Sequence, residues 1–271
     1  MSKKPPEILY KYRCFDARSI SMLANNQIYF ASPLDFNDPF DCRAHEYTFG
    51  NFSAEGLKLM ASLHPKVSPE AINRENTARL IEALKEHPKI KQIGAEQQNE
   101  LNQFNKDIGV LALSACNDSI LMWSHYANYH KGFCIGFKNN LGLDENCVME
   151  VSYTKNRNND LVLQYLASQT MSPEDNHKRL IKEFICTKYS DWEYEQEWRI
   201  MGSKGIAIYP PSCVDRIIFG LNMPPEERNT IRYLFLGTDV KFFQAVKSTR
   251  DFEVKIQEVD STIKLRNEKV C

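Results

Sequence analysis

One stretch, GVLALSACNDSILMWSHYANYHKGFCIGF from Gly109 to Phe137, fixes a strand, a tight turn, a short helix, a turn and a second strand in the middle of the chain. Val110 to Ala115 is an apolar run that ends on Ser114, Ala115 and Cys116, and Asn117-Asp118 are turn formers. Asp118 or Ser119 supplies a side-chain oxygen to cap a helix beginning at Ile120. Leu121, Met122, Ser124, His125 and Tyr126 crowd about two turns of that helix, which predicts burial on most of its sides. Gly132 frees the backbone to enter Phe133–Phe137, a β-rich run. A helix this short, wedged between two buried strands, is suited to holding polar side chains at the end of a sheet.

Around this unit the elements mix. Ile8 to Arg13 alternates as a first strand, with Leu9, Lys11 and Arg13 on one side and Ile8, Tyr10 and Tyr12 on the other. Asp16 is an N-cap for a helix through Ile20, Leu23 and Ala24, which Asn25-Asn26 ends. Gln27 to Ser32 reads as a second strand, running into the acidic loop PLDFNDPFDC. Residues 50–107 are polar, charge-rich and helical in pattern, an insertion or lid on a single α+β domain spanning 1–271. Beyond the central unit, Val148 to Tyr153 reads as a strand, and Leu161 to Ala167 and Pro173 to Thr187 as helices. A strand at Val214 to Phe219, a helix from about Pro225 to Leu236, and strands near Val240 to Val246 and Phe252 to Val259 complete an antiparallel or mixed sheet.

Composition excludes more than it selects. A formal net charge of −1 leaves no electrostatic footprint for nucleic acid. No apolar run nears the roughly 20 residues of a membrane span, and the MSKKPPEILYKYR start has no signal-type core, so a cytoplasmic protein away from the membrane is expected. The eight cysteines form no CxxC pair and are expected as reduced thiols. His125, His130 and Cys134 fit no usual zinc spacing, so no metal is expected.

The sharpest chemical signal is Trp192 to Ile200, WEYEQEWRI. As a continuous strand it would point Glu193, Glu195, Glu197 and Arg199 one way and sink Trp192, Tyr194, Gln196, Trp198 and Ile200 into the core. Same-face carboxylates would then sit roughly 7 Å apart, placed to raise one another's pKa and to grip a diol or a cation. The plainer reading is a solvated face on which Arg199 pairs a carboxylate.

The blocks LYKYR, IYFASPLDFNDPFD, SILMWSHYANYHKGFCIGF and KYSDWEYEQEWRI, in that order, resemble the bacterial family known as domain of unknown function 2971. The same block order is similar, at the level of the fold, to the ADP-ribosyltransferase superfamily, whose split sheet holds NAD. That second resemblance implies a set of roles. Arg13, with Tyr12 beside it and Tyr10 and Lys11 as alternatives, would anchor the dinucleotide. Ser114 would be the small hydroxyl residue closing the middle strand, and Tyr126 would stack on nicotinamide. Glu195-Gln196-Glu197 would be the E-x-E pair, with Glu197 on the ribose 2′-OH and Glu195 orienting or deprotonating the nucleophile. His125 is a candidate general base or else a packed histidine. Asn37, Asp38 and Asp41 either reach the substrate or simply build the loop's turns.

Three functions follow. The first is an NAD-consuming transferase or glycohydrolase, a toxin or anti-phage effector acting on a macromolecular acceptor, with an inhibitory or defence-system partner possible. The second is a nucleotide or ADP-ribose-binding module that leaves its ligand intact. The third is a nucleic-acid-processing enzyme of related fold, such as an RNA 2′-phosphate transferase.

Overall fold

The computed structural model describes residues 4–42, 99, 106–143, 147–155, 172 and 184–260. They form an α+β protein with a large mixed sheet. The chain divides into two compact units: Met1–Ala31, Gly109–Val151 and Asp191–Cys271 in the first, Ser32–Ile108 and Ser152–Ser190 in the second. The stretch 50–107 falls outside the described residues except for Asn99, Lys106 and Asp107.

In the first unit the chain runs β1 (Ile8–Arg13), α1 (Ala17–Ala24), β2 (Gln27–Phe30), β3 (Ile108–Ser114), α2 (Ile120–Tyr126), β4 (Phe133–Lys138) and β5 (Val148–Glu150). Asp16 caps α1 as its position suggests, its Oδ1 accepting from Ser19 N at 2.7 Å. Ser119 caps α2, accepting from Met122 N. β2 stops two residues short of the expected Ser32. Ala31 keeps a single bridge to Val110, and Ser32 turns to cap a 3-10 turn over Pro33–Asp35, where proline cannot extend a ladder.

In the second unit, β6 (Ser152–Thr154) and β7 (Thr187–Tyr189) pair in parallel. The helix expected over Pro173–Thr187 lies largely outside the described residues. Of its last four, Phe184 and Ile185 are helical, whereas Thr187 already belongs to β7. The helix expected over Leu161–Ala167 is likewise outside the described residues. Asp41 is buried in this unit and meets the buried Lys188 amine at 3.5 Å, so the acidic loop carries an internal ion pair.

The chain then returns to the first unit through a 3-10 turn (Ser190–Glu195), β8 (Glu197–Ser203), β9 (Gly205–Ile208), β10 (Val214–Phe219), α3 (Pro225–Leu234), β11 (Lys241–Lys247) and β12 (Val254–Val259). The sheet order is β12-β11-β10-β4-β1-β3-β8-β5, with β10 and β11 parallel and β2–β9 as a separate antiparallel pair. β9 has no counterpart among the sequence expectations.

One side of the sheet buries Leu9, Leu111, Leu113, Ile135 and Phe137 with Leu23 of α1 and Ile231 of α3. Tyr10, Tyr12, Cys134 and Ile218 are buried in a second cluster with Met122 and Trp123 of α2 and with Ala127, the residue that follows it. The alternation expected along β1 therefore holds, and both faces are buried. Each fully buried large aliphatic side chain contributes on the order of 1.5–3 kcal/mol. Trp123 is completely enclosed, packs edge-on against Tyr12 and donates its indole N–H to Asn117 O at 2.9 Å.

The sheet is not laced evenly. β1 pairs with β4 through six residues, from Ile8–Lys138 to Arg13–Phe133, but with β3 only at Tyr10–Ser114. β3 ends at that pair, and two side chains add links: Lys11 Nζ donates to Ala112 O of β3 at 2.7 Å and Tyr12 Oη to Cys116 O, in the turn after β3, at 2.9 Å.

Candidate functional site

Where β3 ends, three segments converge. Ser114 is buried, and its hydroxyl donates to the backbone carbonyl of Glu195 at 2.6 Å while accepting from Cys116 N at 3.0 Å. The next amide, Ala115 N–H, donates to Gln196 O at 2.9 Å. From α2, the Tyr126 hydroxyl donates to Glu195 Oε1 at 2.6 Å, the short distance of a hydrogen bond to a carboxylate. Glu195 is only 4% exposed. Glu195 is thus in direct contact with both Ser114 at the end of β3 and Tyr126 of α2.

The E-x-E segment is not the continuous strand its alternation suggests. Residues Ser190–Glu195 form a 3-10 turn, Gln196 adopts φ +44° in the left-handed region, and the strand begins at Glu197. Tight i-to-i+3 bonding around the aromatic-acidic run and the reversal at Gln196 break the two-residue period. Trp192 and Tyr194, expected in the core, are half-buried instead. Tyr194 packs on Trp192 and on His125, with ring centroids 6.0 and 6.2 Å apart. His125 itself is exposed and lies edge-on to Tyr126.

Beyond the turn Arg199 does pair a carboxylate, that of Glu197, but in the interior rather than on a solvated face. Arg199 is fully buried and grips Glu197 with both ends of its fork, Nε to Oε1 at 2.8 Å and Nη2 to Oε2 at 2.9 Å. Glu197 and Arg199 share one side of β8, as residues two apart on a strand do. Burying a guanidinium so completely demands a carboxylate partner of this geometry. The role of Arg199 was legible only as a charge two residues after a glutamate.

Two anchoring candidates part company. Tyr12 lies on the α2 face, against Trp123, with its hydroxyl bonded to Cys116 O; burial pushes its phenol well above the ordinary range. Arg13 is the next residue and projects to the opposite face, beside Lys11, Met22, Gln27 and Tyr209 near α1. Burial and then the neighbouring Arg18 lower its pKa, with Asp16 opposing. The structure therefore brings Tyr12, Ser114, Tyr126 and Glu195 to one face of the sheet and places Arg13 on the other. Of the alternatives, Tyr10 is on the α2 face and Lys11 on Arg13's face.

Asn37 and Asp38 belong to the second unit. Asn37 is exposed, whereas Asp38 is buried and closes a turn by accepting from Phe40 N at 2.8 Å, the role that Asp beside proline commonly plays. Cys116 donates its thiol to Asp118 Oδ1 at 2.9 Å. Among the described residues no three His, Cys, Asp or Glu side chains are grouped to hold a metal ion, and no helix is long and apolar enough to cross a membrane.

Residues 122–200 match the model of a family described as a protein of unknown function, DUF2971. The match runs from within α2 into β8 and so includes Tyr126, Glu195, Glu197 and Arg199, although it covers less than a third of the chain. No curated protein and no solved structure matches the chain.

Proposed function

We propose that this protein is an NAD-consuming, ADP-ribosyltransferase-like enzyme that transfers ADP-ribose to a macromolecular acceptor. The observation that carries this reading is the 2.6 Å bond from Tyr126 to Glu195, whose backbone is held by Ser114. The tyrosine, the hydroxyl residue and the E-x-E segment are the groups that the superfamily resemblance assigns to one NAD site. Their convergence from three separate elements supports a common purpose.

The chemistry suits the groups present. Displacing nicotinamide from its ribose builds positive charge at C1′, which a positioned carboxylate stabilises. Tyr126 has the flat apolar face that a nicotinamide ring stacks on, and the half-buried Trp192 and Tyr194 rings with the exposed His125 ring extend that aromatic surface. A toxin or defence effector is the biological setting proposed for such an activity.

The test is incubation of the full chain with NAD carrying a labelled nicotinamide or a labelled adenylate, alone and with cell lysate, beside a Glu195→Gln/Glu197→Gln variant. Nicotinamide release or label on a macromolecule, lost in the variant, is the expected result. No turnover in any sample, with binding of intact NAD, would replace this reading with the non-catalytic nucleotide-binding module.

A further inference from the structure

Resting on that reading, we infer that Arg216, assisted by Lys138, is the anion anchor of the α2 face and holds the diphosphate of the dinucleotide. The superfamily resemblance gives that role to a residue of β1, but Arg13 of β1 projects to the opposite face. The α2 face has cations of its own, and they come from β4 and β10.

The register puts Arg216 in line with the candidate site. Ser114 of β3 stands opposite Tyr10 of β1, Tyr10 opposite Gly136 of β4, and Gly136 opposite Arg216 of β10. All three pairings are antiparallel, so residues directly opposed in them share a face. Arg216 and Ser114 are therefore on one face and three strands apart, about 14 Å between Cα atoms at the usual strand spacing. The charge of Arg216 also reaches Tyr10. Burial raises the pKa of that phenol, and Arg216 is the first group to oppose the rise, followed by the Asn117 side chain bonded to it. Asn117 lies in the turn that leaves Ser114, so the guanidinium and the end of β3 act on one hydroxyl.

Arg216 is held in place and still has its outer fork to offer. A Cβ at Gly136 would lie 2.6 Å from Arg216 Cγ, so the glycine makes room for the arginine's stem. The guanidinium sits over the Phe243 ring, 5.1 Å from its centroid. A bulge between Val214 and Arg216 lets the consecutive Asp215 and Arg216 side chains meet, and Asp215 Oδ2 accepts from Nε at 2.6 Å. Among the described residues neither outer nitrogen, Nη1 or Nη2, has a hydrogen-bond partner. Those two donors are the pair that grips a phosphate bidentately.

Lys138 completes the charge balance. It lies two residues from Gly136 in β4, on the same face, and its amine is 4.0 Å from the other oxygen of Asp215. Two cations thus share one carboxylate, and one positive charge is in excess. The Arg216 side chain is 24% exposed and that of Lys138 39%, so both are open to a ligand.

The experiment measures equilibrium binding of ADP-ribose, NAD and nicotinamide riboside, which carries no phosphate, to the full chain. Wild type is compared with Arg216→Gln, Arg216→Met and Arg13→Gln. A folded Arg216 variant is expected to bind ADP-ribose and NAD about 10- to 100-fold more weakly, as loss of a charge-assisted contact requires, and with a flatter dependence on salt. Its affinity for the riboside is expected to be unchanged, and Arg13→Gln is expected to bind all three as wild type does. Arg216→Met keeps an apolar stem over Gly136 and Phe243, so it decides the matter if Arg216→Gln does not fold. Unchanged ADP-ribose binding in a folded Arg216 variant overturns the inference, as does an equal loss for the riboside or a loss confined to Arg13→Gln. The inference and the proposed function fail separately. Binding of ADP-ribose that needs Arg216, with no nicotinamide released from NAD, refutes the transferase and leaves the anchor standing. Nicotinamide release by wild type, with undiminished NAD affinity in the Arg216 variants, refutes the anchor alone. A wild type that binds neither NAD nor ADP-ribose refutes both.

Discussion

The Tyr126 hydroxyl and the Glu195 carboxylate lie 2.6 Å apart, and that bond ties α2 to the turn that precedes β8. Replacing Tyr126 by Phe removes the donor while keeping the ring. Because the acceptor is a buried carboxylate, the expected loss is about 1–2 kcal/mol of stability. A urea midpoint lowered at unchanged slope would show it; coincident unfolding curves would mean that the bond contributes nothing net.

The Glu197–Arg199 pair predicts a marked non-additivity. Arg199→Met alone takes the guanidinium fork from the buried Glu197 carboxylate and is expected to cost about 3–5 kcal/mol. Adding Glu197→Met removes the stranded charge and should restore most of that loss. A double-mutant cycle read by chemical denaturation gives the coupling. Additive losses would show that the pair is not interacting as the 2.8 and 2.9 Å contacts indicate.

Close backbone approach governs the link from α2 to β4. Asn128, Tyr129 and His130 have φ of 48, 54 and 67°, three consecutive left-handed residues. That turn is seated on Gly220, whose amide donates to Gly132 O, and on Asn222, whose amide donates to His130 O. A Cβ at Gly220 would strike the His130 carbonyl, and one at Gly132 the carbonyl of Arg13. Gly220→Ala and Gly132→Ala are each expected to lower stability by about 1–3 kcal/mol or more, since neither obstacle is a movable side chain. Gly237→Ala meets no atom within 4 Å and pays only for its φ of +75°, about 1–2 kcal/mol. Thermal melts of the three variants should rank accordingly.

Cys116 gives the pH dependence. Burial, and then the Asp118 carboxylate that accepts its thiol hydrogen, push its pKa up to about 11. An acid whose folded pKa is raised holds its proton more tightly when folded. Its contribution to stability is therefore constant below the ordinary thiol range near 9 and is lost as pH climbs from there through 11. Alkylation at pH 8 should label exposed Cys147 well before Cys116, and Asp118→Asn should speed labelling of Cys116. Equal rates for Cys116 with and without Asp118 would contradict the hydrogen bond.

Most of the sheet was legible in the sequence because its strands carry strong local signals. Tyr10 and Tyr12 alternate with Leu9 and Lys11, Asp16 and Ser119 stand where caps are needed, and Gly132 precedes a buried run. The E-x-E segment was misread for a physical reason. Trp192-Glu-Tyr-Glu alternates as a half-buried strand does, and period alone does not reveal a 3-10 turn followed by a left-handed glutamine. Arg13 illustrates a second limit. The superfamily resemblance marked it as an anchor, while the face it occupies depends on which layer packs on which side. Tyr126, Ser114 and Glu195 were each identifiable as candidates, but their contact depends on pairings far apart in the chain. β9 was too short and too weakly patterned to be seen.

The single rung between β1 and β3 has a mechanical consequence. A sheet stitched by six pairs along one border and one along the next is stiff in the first direction and compliant in the second. Load applied across it concentrates at Tyr10–Ser114, with the Lys11 and Tyr12 side chains acting as tethers. A molecule wedged beside Ser114 would widen this seam by straining two tethers and one rung.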